Sequence, residues 1–213
     1  MAKRADSNLV RVLSAVNQYG LLMQADSKLP SVVTLLAGKH VKGSWWGHPM
    51  GDAIHIVNTE LKEHPDVIVT YLVSGKITYI HRRAWPGLFG VALCKEAWQT
   101  RNLDPIARRI LRQVTKKQSV RGDDESVFSE LSSTERRAGI RELERRLLVH
   151  SVDTHTETGT HAKTLQTWER CIKQKRFRGK ALAADKARAR LERLIDAWPV
   201  VPGSRIALPW PKR

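Results

Sequence analysis

The chain has 213 residues, 41% hydrophobic and 27% charged, and its 37 lysines and arginines against 21 aspartates and glutamates give a net charge of +16. That length supports one or two buried cores, no apolar run approaches the roughly 20 residues of a bilayer span, and Cys94 and Cys171, far apart, form neither a disulfide framework nor a zinc set. A charge of this sign selects polyanions, nucleic acid first, and disfavours a membrane surface because the basic segments lack an opposing aromatic face.

The opening MAKRADSNLVRVL is charged and lacks a signal-peptide core, which predicts a cytoplasmic bacterial protein, nucleoid-associated if it binds DNA. Leu9, Val12, Leu13, Val16 and Tyr19 recur at helical spacing, with Gly20 as the stop. SVVTLLAG after Pro30 predicts a second helix. A third runs from about Pro49 to Leu61, with Ile54, Val57 and Leu61 on one face, and ends before His64-Pro65. VIVTYLV and KITYIH, separated by Ser74-Gly75, predict a hairpin. Three helices and a hairpin are the order of a winged helix.

The same grammar returns without obvious sequence identity. Asp104-Pro105 starts a helix carrying Ile106, Ile110 and Val114. SVRGDDES reads as a loop. Ser132 and Glu135 are spaced as a capping box for a helix burying Ile140, Leu143 and Leu147, and LLVHSVDTHTE then alternates like a strand or wing. A further helix is expected from near Thr160, with Ala162, Leu165, Trp168 and Ile172 inward. A last one holds Leu191, Leu194, Ile195 and Trp198, and the proline-rich tail is expected to lie extended over the surface. The expected fold is mainly α with short β-hairpins: winged-helix-like units over 1–100 and 101–160, then a basic helical extension over 161–213. Net charge rises along the chain, from +2 over 1–80 to +4 over 81–162 and +10 over 163–213.

Arg137, Arg141 and Arg145 are four apart and form one stripe of a helix, flanked by Arg136 and Arg146. In a winged helix that stripe enters the major groove; otherwise it is a solvated face paired with Glu142 and Glu144. Lys173, Lys175, Arg176, Arg178 and Lys180 around Phe177 suit sequence-blind phosphate contact or a charged linker, and Arg82 and Arg83 after the first hairpin suit a backbone grip. In VKGSWWGHP, Trp45 and Trp46 stand among glycines, bracketed by Lys42 and His48. An exposed indole there stacks on a base, or both anchor helices. A lysine beside apolar aromatic surface is a nucleophile for the C1′ of a damaged nucleotide, or a phosphate ligand. The segment 150–168 gathers His150, Asp153, His155, Glu157 and His161, a set suited to acid–base chemistry or to hydrogen bonds fixing a wing. No HExxH, Walker loop or dinucleotide fingerprint is present, so neither metal nor cofactor is expected.

The stretch ERRAGIRELERRLLVHSVDTHTETGTHAKTLQTW, residues 135–168, resembles the second winged-helix unit of tandem winged-helix proteins related to bacterial crosslink-repair DNA glycosylases. The resemblance implies duplex DNA binding and base-excision chemistry. The Gln-x-Gln or Gln-x-Asp motif of those glycosylases has no counterpart in a matching position, so no catalytic residue is carried over. The leading expectation is a DNA-repair enzyme, a glycosylase or abasic-site lyase on damaged duplex DNA, with Lys42 as Schiff-base amine and Glu157, His155 or His161 managing protons. The alternative is a non-catalytic winged-helix transcriptional regulator; an RNA-binding accessory protein is a third reading.

Overall fold

Helix signals written in the sequence are formed in the fold. Ser31 Oγ accepts from Thr34 N, Asp104 from Ile106 N ahead of Pro105, and Ser132 and Glu135 close their capping box. Each satisfies amides that the first helical turn leaves without partners. The computed structural model describes residues 2–155 and 161–211, without the side chains of 2–6, 154, 155 and 161. The fold is mainly helical, with two small antiparallel sheets.

The first unit runs α1 (Ala2–Tyr19), β1 (Leu21–Met23), α2 (Val32–Ala37), α3 (Gly51–Glu63), β2 (Val67–Tyr71) and β3 (Ile77–His81), followed by α4 (Trp85–Leu93). A short helix, α5 (Ala97–Thr100), leads to the second: α6 (Pro105–Lys117), β4 (Ser119–Arg121), α7 (Glu125–Phe128), α8 (Ser133–Arg145), β5 (His150–His155), β6 (His161–Gln166) and α9 (Trp168–Gln174). The sheets are ordered β1-β3-β2 and β4-β6-β5, the short strand pairing in each with the second strand of the hairpin. Each hairpin is followed by a helix opening on a buried tryptophan, whose indole donates to a main-chain carbonyl: Trp85 to Ile80, Trp168 to Leu147. The order is thus helix, strand, two helices, hairpin, helix, used twice.

Residues 161–166 were expected to open a helix and instead form β6, paired with β5 from His150↔Gln166 to His155↔His161. The second sheet therefore continues past residue 160. The spacing Ala162, Leu165, Trp168, Ile172 mimics one helical face because a strand and the helix after it contribute to it in turn. The loop expected at SVRGDDES contains β4 and α7.

Alternation along the strands decides where the sheets sit. In the first, Leu22, Val67 and Tyr79 face α1–α3, while Leu21, Met23, Ile68 and Ile80 face a second apolar layer. That layer is built from α4, α9, α10 (Ala184–Asp196) and the tail, with Trp85, Phe89, Trp168, Leu191, Trp198 and Trp210 buried in it. Gly90 lets α10 approach α4: a Cβ there would lie 2.3 Å from the Leu182 carbonyl oxygen and 2.7 Å from Ala187 Cβ. The second sheet packs Val120 and Leu165 on α6 and α8 and leaves Val152 44% exposed. The tail is extended, as expected, yet Ile206 and Leu208 pack on the core and Trp210 is buried, its indole donating to Glu192.

The outer strands β2 and β5 lie beside each other. His150, fully buried, shares a hydrogen bond with Gln166 at 3.0 Å and another with the Val69 backbone, and burial pushes its pKa down to about 4. Two further ties reach across the units. Lys62, last but one in α3, bonds Asp153 of β5 at 2.6 Å; Glu144, last but one in α8, bonds Lys163 at 2.6 Å, which reaches the Tyr71 hydroxyl of β2 at 3.3 Å.

Candidate nucleic-acid interface

The helical stripe Arg137, Arg141, Arg145 is exposed on α8, opposite the buried Ile140 and Leu143. It borders a cleft of about 660 Å³ whose other walls are Gly122 and Asp123 after β4, Ala162 and Lys163 of β6, and Tyr71 and Gly75 from the first unit. Gly75 (φ 63) turns the first hairpin over Arg145: a Cβ there would stand 3.4 Å from Arg145 Nε. The turn is held from behind by the tail, since Ser74 N donates to the Ala207 carbonyl at 2.7 Å and Ser74 Oγ accepts from Ala207 N at 3.3 Å.

Charge bookkeeping inside the cleft leaves three cations over. Glu144, almost fully buried, is matched by Lys163; burial works against the lysine's charge, but Glu144 and the Tyr71 hydroxyl outweigh it and raise its pKa. Asp123 pairs with Arg121, whose hydrogen bond holds its carboxyl below the usual range. Arg136 pairs with Glu125. Arg146 pairs with Glu142 and donates to the carbonyls of Trp98, Gln99, Arg101 and Asn102, capping α5. Glu142 and Glu144 are thereby engaged elsewhere, and Arg137, Arg141 and Arg145 make no ion pair with a described residue. A concave, partly desolvated surface with three such guanidinium groups favours phosphate.

Other expected contact residues fall outside this cleft. Arg82 pairs with Asp66 at 3.0 Å, and Lys175 donates to the His64 carbonyl at 3.0 Å, so both fasten the junction between α3 and β2. Burial lowers the Lys175 pKa. Arg83, Lys173, Arg176 and Arg178 are exposed. So are Arg108, Arg112 and Lys116 on α6, a stripe sequence reading passed over although its i, i+4, i+8 spacing is plain.

The tryptophan pair is at the start of α3. Trp45 packs on the first core; Trp46 stacks on it with ring centroids 4.3 Å apart and stays 64% exposed. His48 N donates to the Trp45 carbonyl and its Nδ1 accepts from Met50 N. Lys42 is exposed on the preceding loop and forms no ion pair with a described residue. The tryptophans and β5 meet opposite ends of α3, since Trp46 contacts His55 and Gly51 whereas Asp153 binds Lys62. From Gly51 to Lys62 the helix rises about 16 Å. Glu157 lies outside the described residues, as do the side chains of His155 and His161, whose backbones pair across the hairpin. Among the described residues no cluster of histidine, cysteine and carboxylate ligands is placed to hold a metal, and no helix is long and apolar enough to cross a membrane.

No family model, curated protein or solved structure matches this chain.

Proposed function

We propose that the chain is a duplex-DNA-binding protein built from two winged-helix units, which docks through α8 and the β5–β6 hairpin of the second. The observation that carries this reading is the surplus of Arg137, Arg141 and Arg145 on the helix that precedes the hairpin in a helix–strand–helix–helix–hairpin unit. In that architecture the helix enters the major groove with its N-terminal residues leading, and the hairpin lies along the neighbouring backbone. Ser133 and Arg137 stand at the leading end; Arg145, beneath the Gly75 turn, is placed for a phosphate at the groove's edge. What the cleft offers is three arginines without an ion pair to a described residue, which binding alone uses. Of the groups expected for base excision, Lys42 stands outside the cleft, and Glu157 and the side chains of His155 and His161 lie outside the described residues.

Fluorescence anisotropy of the full chain on a DNA duplex tests this. Binding is expected to weaken with salt, with a slope of log K on log[salt] of about −0.9 per neutralised phosphate. Arg137→Ala/Arg141→Ala is expected to cost at least about tenfold in affinity and to flatten that slope, whereas Arg190→Ala/Arg193→Ala on the outer face of α10 leaves both nearly unchanged. No binding in dilute buffer, an α10 pair as damaging as the α8 pair, or structured RNA outcompeting duplex DNA would overturn it. Borohydride treatment with abasic-site duplex tests the excision chemistry separately, and no adduct dependent on Lys42 is expected.

A further inference from the structure

Trp46 is 64% exposed, the most of any tryptophan, tyrosine or phenylalanine described. One ring face lies on Trp45 at 4.3 Å and 21°, and His55 approaches at 5.2 Å, tilted by 41°. A side chain so flanked that keeps this much exposure presents its second face to solvent.

The segment that carries the indole is tied by hydrogen bonds. His48 N bonds the Trp45 carbonyl at 3.0 Å, Gly51 N the His48 carbonyl at 2.7 Å, and Trp46 N the Ser44 hydroxyl at 3.3 Å. Gly51 is required for this closeness, because a Cβ there would lie 2.8 Å from the Trp46 carbonyl oxygen. Residues 38–50 include Lys39, His40, Lys42 and His48 and no acid, both lysines are exposed, and the nearest carboxylate in sequence is Asp52 in the first turn of α3. A fixed, solvent-facing indole with lysines around it suits a planar base on a phosphate backbone; protein docking calls for a broader apolar surface, and α3 adds only Ile56, 43% exposed. In element order, this N-terminal end of α3 corresponds to the end of α8 that carries Arg137.

We infer that Trp46 is a stacking platform for an unpaired nucleobase, so that the protein prefers duplex DNA carrying an unpaired base over fully paired duplex. This rests on the duplex-binding reading through α8 and deepens it: α8 holds paired DNA, and Trp46 takes a base that has left the stack.

The experiment compares the full chain on a fully paired duplex and on the same duplex with one bulged thymine. Wild type is expected to bind the bulged duplex roughly tenfold more tightly, in line with one stacked base. Trp46→Ala is expected to abolish that preference while leaving paired-duplex affinity unchanged, and Trp46→Phe to keep part of it. Equal affinity of wild type for both duplexes, or a preference surviving in Trp46→Ala, would overturn the inference while leaving α8 binding intact. Loss of all DNA binding, or indifference to the α8 arginines, would instead strike the underlying reading. Sedimentation provides the remaining outcome: a dimer lost in Trp46→Ala would make the indole a contact between copies and overturn its role as a base platform.

Discussion

Helices α3 and α8 hold the same place in their two units and are both 13 residues long, yet they show different surfaces to solvent. On α3 the exposed positions are Asp52, His55, Ile56, Thr59, Lys62 and Glu63; on α8 they include Arg137, Arg141 and Arg145. The buried stripes are alike: Ile54, Val57 and Leu61 in one, Ile140 and Leu143 in the other. Repeated architecture therefore constrains the inner face of the helix and leaves the outer face free to specialise. The chain uses one element order twice, with three arginines free of ion pairs to described residues on one helix and, on the other, Asp52, Glu60 and Glu63 against Lys62 beside an exposed tryptophan.

The ties between the units repeat this asymmetry, and breaking them measures it. The largest effect is expected from Lys163→Ala, which strands Glu144, 4% exposed, without its partner. Removing one member of a fully buried ion pair costs about 3–5 kcal/mol; with Lys163 32% exposed the loss is expected at or below the lower end of that range, and urea denaturation followed by tryptophan fluorescence reads it. Next comes His150, standing where the counterpart strand begins with Val67. Its imidazole takes up a proton near pH 6.5 when unfolded and only near pH 4 when folded. Stability is thus full above pH 6.5 and declines as pH falls toward 4, by on the order of 3 kcal/mol from this group. The pH dependence of the unfolding free energy in wild type minus that in His150→Gln isolates the contribution; no difference between pH 4 and 6.5 would show that His150 does not set it. The smallest effect belongs to Lys62→Ala. Lys62 and Asp153 are 38% and 45% exposed, and a solvated pair of this kind contributes less than about 1 kcal/mol. A loss equal to that of Lys163→Ala would erase the distinction between the two ties.

Long amphipathic elements were legible in the sequence. The helical stripes of α1, α3, α6 and α8 lie where periodicity puts them, because each alternates between a core and solvent, and the first hairpin lies where its β-branched runs and Ser74-Gly75 put it; of the second hairpin only β5 was legible, since β6 mimics one face of a helix. Strands β1 and β4, of three residues each, are too short to show a period. WPGLFGVAL of α4 is apolar all round because it is buried on almost every side, so it presents no stripe to read. The arginines of α8 were legible from spacing alone, but their freedom was not. It depends on Glu144 finding Lys163 nineteen residues onward and on Arg146 turning back to the carbonyls of residues 98–102. Tyr71 and Gly75, which wall the cleft from the other unit, carry no local signal of that role.

The covering of the first sheet by α10 and the tail has a consequence for how the chain matures. Leu21, Met23, Ile68 and Ile80 emerge from the ribosome long before Leu191, Ile195 and Trp210, the side chains that shield them. The N-terminal half is finished only by residues translated more than a hundred positions later, so a nascent or truncated product ending at Gln166 would expose a sticky apolar sheet face and aggregate, even though the repeat suggests two separable modules.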